Sequence, residues 1–352
     1  MKLFTLGPVE MDPETLAVGA EALPYFRTDE FSEKMVAMRD RIQRVCRASA
    51  SSRLAVITGS GTAAMEAAVA SMFGGDDRVL VINGGGFGER FSELCRCHSI
   101  PYNELILAHD EELDAAHFEG VDGRQYTGLL VNVHETSTGQ LYDMSLISGF
   151  CREYGLTLVV DAISSLLADD YRMDEWGVDA TIFSSHKALA VSPGLSFVLV
   201  NEETWHSRIA GKRRAGVFYL DLRDHIMNME RGQTPFTPSV GVVLQVEEKL
   251  ARVEARGVSY FLHKTRCLAE GFREDIKKRT NLVVPGFRIS NALTPLFFPD
   301  GGAEKCFSRL RDDHGLIVTP SGGENKDKMI RVGHMGNLTQ DDHDTLVSAL
   351  AV

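Results

Sequence analysis

The chain has 352 residues, 44% of them hydrophobic and 24% charged, with a formal charge of −12. That length predicts roughly two domains rather than one small core. The acidic balance, with "GKRRAG" from Gly211 as the densest basic spot, argues against a nucleic-acid partner, because phosphate neutralisation needs a basic stripe.

In chain order, "MKLFTLGPVEMDPE" reaches Gly7-Pro8 before a signal-peptide core could form, and no apolar run approaches membrane-spanning length. The expectation is a cytoplasmic protein with no membrane partner. From about Arg53 to Val200, strand-like and helix-like segments alternate. "RLAVITG" reads as a short buried strand and "TAAMEAAVASMF" as a helix of good formers. "RVLVING" is a second strand, followed by the helical "GERFSELCRCHS". "TGLLVNVHE" is a third, and "MSLISGFCREYG" an amphipathic helix closed by Gly155. "LTLVVDA", "DATIFSS" and "GLSFVLVNEE" complete six strands. Strands apolar on both faces and separated by helices predict a parallel sheet covered on both sides, an α/β fold. After Gly232 a proline-marked stretch, "GQTPFTPSVG", leads into the long helix "VVLQVEEKLARVEARG". A smaller α+β unit follows, ending in "GLIVTP" and "MIRVGHMGN". The six cysteines (Cys46, Cys95, Cys97, Cys151, Cys267 and Cys306) are scattered with no CxxC pair, and read as buried thiols rather than a disulfide framework or a zinc site.

In such sheets ligands sit at the carboxyl ends of the strands. The first strand delivers "TGSGTAAME" there, glycines and hydroxyls opening a helix, and its N–H groups with Ser60 and Thr62 suit a phosphate. The second delivers "NGGGFGER" with Phe87, the third "HETSTG", the fourth Asp161, and the fifth Ser184-Ser185-His186-Lys187. Each piece has a bland alternative. Lys187, flanked by Ala188, Leu189, Ala190 and Val191, could be a strand-end lysine that snorkels to water. Phe87 could be loop packing, and Asp161 could cap a helix over "AISSLLADD". "GSGTAA" fits a dinucleotide loop, but the second strand ends in Asn83 where an acidic residue would hold a ribose, which disfavours an NAD-dependent oxidoreductase. His134-Glu135 lacks the second histidine of a zinc motif, so no metal is expected, and no G-x-S-x-G elbow is present.

The conjunction decides. A phosphate cradle, an aromatic face, a carboxylate and a desolvated lysine at the strand ends of one sheet are the requirements of pyridoxal 5'-phosphate. The lysine holds the aldehyde, and the carboxylate keeps the ring nitrogen protonated.

With these residues in order the chain resembles the class V aminotransferases of the fold-type I pyridoxal phosphate enzymes. The likeness runs through "LGPVE", "YFRTDEF", "GSGTAAMEA", "NGGGFGER", "HETSTG", "VDAISS", "SSHK", "FTPS" and "IRVGHMG". It leans toward the branch that uses 2-aminoethylphosphonate and pyruvate, with the alanine–glyoxylate and serine–pyruvate branch behind it. The resemblance implies a large domain with a mostly parallel seven-stranded sheet over 16–245, a smaller α+β C-terminal domain over 246–352, and an N-terminal segment 1–15 joined to it. It implies Lys187 as the Schiff-base lysine and Asp161 as the partner of the pyridine nitrogen. Phe87 and Ile163 would take the two ring faces, Thr136 the ring hydroxyl, and Ser60, Gly61, Thr62 and His186 the phosphate. Thr237 would reach the phosphate of a neighbouring subunit in a homodimer. Arg331 would clamp a substrate carboxylate, with Arg27 a candidate second cation. A small amino donor and a 2-oxo acid such as pyruvate would be the substrates. A desulfurase within the same chemistry needs a mobile-loop cysteine, and "TPSGGENKDKMIRVG" contains none.

Overall fold

The computed structural model describes residues 1–211 and 217–351. Apart from Gly211, the basic spot "GKRRAG" lies outside the described residues.

A seven-stranded sheet forms the centre of the larger unit. Its strands are β1 (Arg53–Thr58), β2 (Val79–Asn83), β3 (Tyr102–Ile106), β4 (Gly128–Asn132), β5 (Thr157–Asp161), β6 (Ala180–Ser184) and β7 (Leu195–Val200). Their spatial order is β1-β7-β6-β5-β4-β2-β3. All neighbours pair in parallel except β7, which runs antiparallel to both β1 and β6. The reason is the connection: only residues 185–194, with no helix, join β6 to β7. A parallel return needs a crossover of about a dozen residues or more. The short loop can only reverse the chain, and it is this loop that carries Lys187.

Side-chain alternation puts Leu54, Val56, Leu129, Val131, Leu158 and Val160 in one apolar cluster. Their neighbours Ala55, Ile57, Leu130, Val159 and Ile182 lie in another, so both faces of the sheet are covered, as the apolar runs predict. The strand absent from the six-strand reading is β3. It lies at the sheet edge, and of "YNELI" only Leu105 is buried, so it carries no apolar run.

Helices α1 (Asp29–Val45), α2 (Gly61–Met72), α3 (Gly86–Cys97) and α4 (Met144–Tyr154) flank the sheet. In α4, Asp143 accepts from the Ser145 N–H, and Gly155 closes the helix at φ 67°, a left-handed turn that favours glycine. No helix follows Asp161, because residues 162–172 run through turns. The carboxylate instead accepts the Ile163 N–H at 2.7 Å, which removes the helix-cap alternative.

Two long helices, α5 (Val240–Arg256) and α6 (Val258–Arg279), meet at Gly257. The division expected at 245/246 falls inside α5. A three-stranded antiparallel sheet of β8 (Leu293–Phe297), β9 (Thr319–Pro320) and β10 (Met329–Gly333) has the order β8-β10-β9. It shares one core with α6, α7 (Ala303–His314) and α8 (Gln340–Leu350), including Phe272, Leu310, Ile330 and Val347. Phe4 joins that core, and Lys2–Leu3 pairs in parallel with Leu316–Ile317, tying the N-terminal segment to this unit. Cys46, Cys95, Cys151 and Cys306 are buried, while Cys97 and Cys267 are exposed. Among the described residues no helix is long and apolar enough to cross a membrane.

Candidate active site

The sequence-predicted residues other than Arg27 and Thr237 lie toward the carboxyl ends of β1, β2, β4, β5 and β6 or on the segments that meet them. Lys187 lies three residues past β6, half-buried. Burial pulls its amine down to about 8; the Asp161 carboxylate opposes that shift, and Arg331 and Arg90 add to it. Asp161 ends β5 and is 5% exposed. Burial pushes its carboxyl up to about 7, against the Ile163 N–H and the charge of Lys187. Burial holds this lysine and this aspartate far from their ordinary values, each shift opposed by the other's charge, an arrangement suited to proton chemistry.

The N-terminal segment completes this corner from across the chain. Gly7 has φ +140°, and a Cβ there would stand 2.6 Å from Lys187 Cδ and 3.0 Å from Nζ. Only glycine lets the backbone lie on the lysine stem.

Ser60 caps α2 with no side-chain hydrogen bond of its own, leaving its hydroxyl and the first-turn N–H groups for an anion. A Cβ on Gly61 would meet Ile163 Cδ1 at 2.4 Å, so Ile163 packs directly on the cradle. Thr62 accepts from Arg90 Nη1 at 3.1 Å, and the Arg90 guanidinium stands 5.0 Å from the centre of the Phe87 ring. Phe87 is in the first turn of α3 rather than in a free loop. His186 is half-buried, its Nδ1 is buried without a partner, and burial lowers it to about 4, with Lys187 adding to the shift.

Thr136 is buried, and its backbone carbonyl accepts from Arg331 Nη1 at 3.0 Å. Arg331 sits on β10, so this bond joins the smaller sheet to the strand ends of the larger one. Its Nη2 donates to the Pro320 carbonyl at 3.0 Å, and its Nε is buried without a partner. Burial lowers the guanidinium, and Glu135 opposes the shift.

Two predicted residues stand apart. Arg27 Nη1 donates to Gln233 Oε1 and the Thr234 carbonyl, both at 3.0 Å, and the residue is exposed. The structure does not bring it to Lys187; the second cation there is Arg90. Thr237 is exposed, a few residues along the segment that holds Arg27.

Sequence reasoning passed over Gly7, Arg90 and Glu135. The Glu135 carboxylate is fully buried and accepts from Gly88 N–H at 3.0 Å, Phe87 N–H at 3.4 Å, Ser137 N–H at 3.0 Å and Asn132 Nδ2 at 2.9 Å. It anchors the start of α3, and with it Phe87. The signals were present: Arg90 follows Phe87 at helical i,i+3 spacing, and Glu135 stands beside Thr136 in "HETSTG".

The family model for aminotransferase class-V matches residues 24–315. The chain belongs to the class V aminotransferases. An uncharacterized aminotransferase of Methanocaldococcus jannaschii is 31% identical over 95% of this chain and 87% of its own length. The 2-aminoethylphosphonate–pyruvate transaminase 2 of Paraburkholderia xenovorans is 34% identical over 57% of this chain and 54% of its own length. An aspartate aminotransferase of subgroup IV from Thermus thermophilus superposes with a TM-score of 0.91 at 26% identity, covering 100% of this chain and 98% of that one. The α/β architecture with its mostly parallel sheet is therefore that of the fold-type I enzymes. Class V membership implies pyridoxal 5'-phosphate as cofactor, and the residues present fit it. The uncapped helix start, the unpartnered His186 Nδ1 and the desolvated Lys187 match its phosphate and its aldehyde.

Proposed function

We propose that this class V aminotransferase binds pyridoxal 5'-phosphate through Lys187 and moves an amino group from a small amine donor to a 2-oxo acid such as pyruvate, with 2-aminoethylphosphonate the favoured donor. The observation that carries the reading is the Lys187–Asp161 pair: one amine and one carboxyl, both desolvated at adjacent strand ends. Ser60, Gly61, Thr62 and His186 would hold the phosphate, Phe87 and Ile163 the ring faces, and Thr136 the ring hydroxyl.

Bound there, the cofactor supplies an aldehyde that captures amines and a ring that withdraws electrons from the neighbouring carbon. Asp161 holds a proton at the ring nitrogen. Lys187, an amine poised near neutral pH, would act as the base that moves the proton of the substrate α-carbon. Arg331 orients the substrate anion with the N–H groups it does not spend on carbonyls. Gly7 and the N-terminal segment keep water off the lysine stem.

Asp161→Asn is expected to lower kcat by at least tenfold to a hundredfold, the usual worth of a buried hydrogen bond to a charged group, about 1.5–3 kcal/mol. An unchanged kcat in steady-state assays would show that the carboxylate serves only the Ile163 turn.

The donor assignment leans on the aminoethylphosphonate transaminase relative and on the cations Arg331 and Arg90 beside Lys187. A donor screen with pyruvate and with glyoxylate tests it. Turnover of 2-aminoethylphosphonate is expected; efficient use of alanine or serine with none of the phosphonate overturns the donor and leaves the transaminase.

The division into 16–245 and 246–352 is retained as a proposal. So is the homodimer: exposed Thr237, on the segment that Arg27 braces, is suited to meet the partner's phosphate cradle. Sedimentation that finds a fully active monomer removes that proposal.

A further inference from the structure

Asp169 is a buried carboxylate for which the mechanism above has no use. It lies beyond Asp161, in the turns of residues 162–172, and is 5% exposed. Its two oxygens accept from one short segment of the smaller unit: Oδ2 from the Ser290 hydroxyl, and Oδ1 from the Asn291 N–H at 2.9 Å. Burial raises its carboxyl above the ordinary range, and those two donors, with the charges of Arg273 and Arg288, pull it back.

The segment that Asp169 holds is the entry to β8. The Ser290 hydroxyl also accepts the Ala292 N–H at 3.0 Å, and the Ser290 N–H donates to the Gly139 carbonyl at 3.0 Å. From the other side Arg273, on α6, donates to the Ser290 carbonyl, to the Leu293 carbonyl at 3.0 Å and to Thr294 Oγ1 at 2.9 Å. The Ala292 carbonyl in turn accepts the His334 N–H at 2.9 Å, while Leu293 pairs with Gly333 and Pro295 with Arg331. Whatever fixes residues 290–292 therefore fixes the end of β10, and with it the backbone of Arg331.

Beside the carboxylate, Ala168, Ala190 and Ala292 share a small apolar cluster with Val9 and Met335. Ala190 belongs to the loop between β6 and β7, and its N–H donates to the Lys187 carbonyl at 2.8 Å. The lysine loop, the turns after Asp161 and the strand pair that carries Arg331 thus meet in one place. Contact between methyl groups is not directional and would let the strand pair slide. Hydrogen bonds to a carboxylate are directional and stop it.

We infer that Asp169 is a positioning residue for the substrate site: it clasps the strand pair that carries Arg331 to the corner that carries Lys187, and so sets where a substrate anion is held relative to the reacting amine. The inference rests on the role proposed above for Arg331.

Kinetics and hydrogen exchange test it. Asp169→Ala is expected to raise KM for the amino donor and for the 2-oxo acid by about tenfold, the worth of a hydrogen bond to a charged group, with the smaller effect on kcat. Affinity for pyridoxal phosphate, read by absorbance titration of the apoprotein, is expected to stay at the wild-type value. Ser290→Ala, which removes one of the two bonds, is expected to raise KM in the same direction by less. In an Arg331→Gln background, adding Asp169→Ala is expected to raise KM no further, because no guanidinium is left to place. In the cofactor-free protein, amide exchange over residues 290–294 and 329–334 is expected to quicken in Asp169→Ala while β1 and β5 keep their protection. If Asp169→Ala does not fold, Asp169→Asn, which keeps an acceptor for the Asn291 N–H, and Ser290→Ala carry the same measurements. A KM that is unmoved in these variants, or that rises in full again in the Arg331→Gln background, overturns the inference alone. So does an equal loss of cofactor affinity, or exchange over 329–334 that stays at the wild-type rate. Wild-type protein without turnover, or a KM unmoved by Arg331→Gln itself, overturns the reading beneath the inference and the inference with it.

Discussion

Lys187→Ala should abolish turnover and leave a protein that holds pyridoxal phosphate, if at all, without a covalent bond. Borohydride reduction of the wild type should fix the cofactor to the peptide carrying Lys187, and the variant should release it on denaturation. The expected loss is at least about 10²–10⁴-fold, the range a positioned acid–base group supplies. Full activity in the variant would sink the whole functional reading. The same lysine makes a second, cofactor-free expectation. Its amine is lowered from 10.5 to about 8 by burial, so between those values the unfolded chain binds more protons than the folded one. Stability of the apoprotein therefore rises with pH from about 8 to about 10.5. Below pH 8 the folded protein carries the full cost of a desolvated ammonium. Lys187→Met, which keeps the stem without the charge, should be more stable than wild type there by about 1–2 kcal/mol, a figure discounted for the partial exposure of the side chain. The gap should close by about pH 10.5. Denaturant melts of the two proteins at pH 7 and at pH 10.5 measure it, and equal stability at both would mean the amine reaches water.

Arg331→Ala should raise KM for both the amino donor and the 2-oxo acid by about 10²-fold, with the smaller effect on kcat. In the proposed reaction both substrates would use one site in turn, so one guanidinium would serve two anions. The residue also holds the Thr136 and Pro320 carbonyls, and alanine would loosen these as well as remove the charge. Arg331→Gln separates the two roles, because an amide can still donate to a carbonyl but brings no charge to the substrate. A KM that rises in both variants assigns the loss to charge. A KM unmoved in Arg331→Gln would make the arginine a strut between the two sheets.

Much of this was legible in the residues. Apolar runs such as "LTLVV" and "GLLVN" bury on both faces of a strand, and that requirement is local, so composition and spacing reveal the covered parallel sheet. Lys187 stood out for the same reason, since an ammonium among small apolar neighbours has to be accounted for by its surroundings. The edge strand Tyr102–Ile106 escaped because only Leu105 of it is buried and it needs no apolar pattern, whereas the opposite edge, Arg53–Thr58, is covered and keeps one. Arg27 looked like a candidate second substrate cation, and its guanidinium reaches Gln233 and Thr234. A long side chain is free to choose among partners that sequence neighbours do not disclose.

The sequence by itself determined the class of chemistry. Glycines and hydroxyls that open a helix, an aromatic, a carboxylate and a lysine arrive in order at strand ends, and alternation alone sends them to one edge of the sheet. Only the tertiary structure decided how strongly each group is perturbed and by which neighbour. Gly7 against the Lys187 stem, Arg331 on the Thr136 carbonyl and Arg90 between Thr62 and Phe87 join segments far apart in the chain. Desolvation and charge act over a few ångströms of space, whatever the separation in sequence, so an amine near 8 and a carboxyl near 7 exist only once those segments have closed around them.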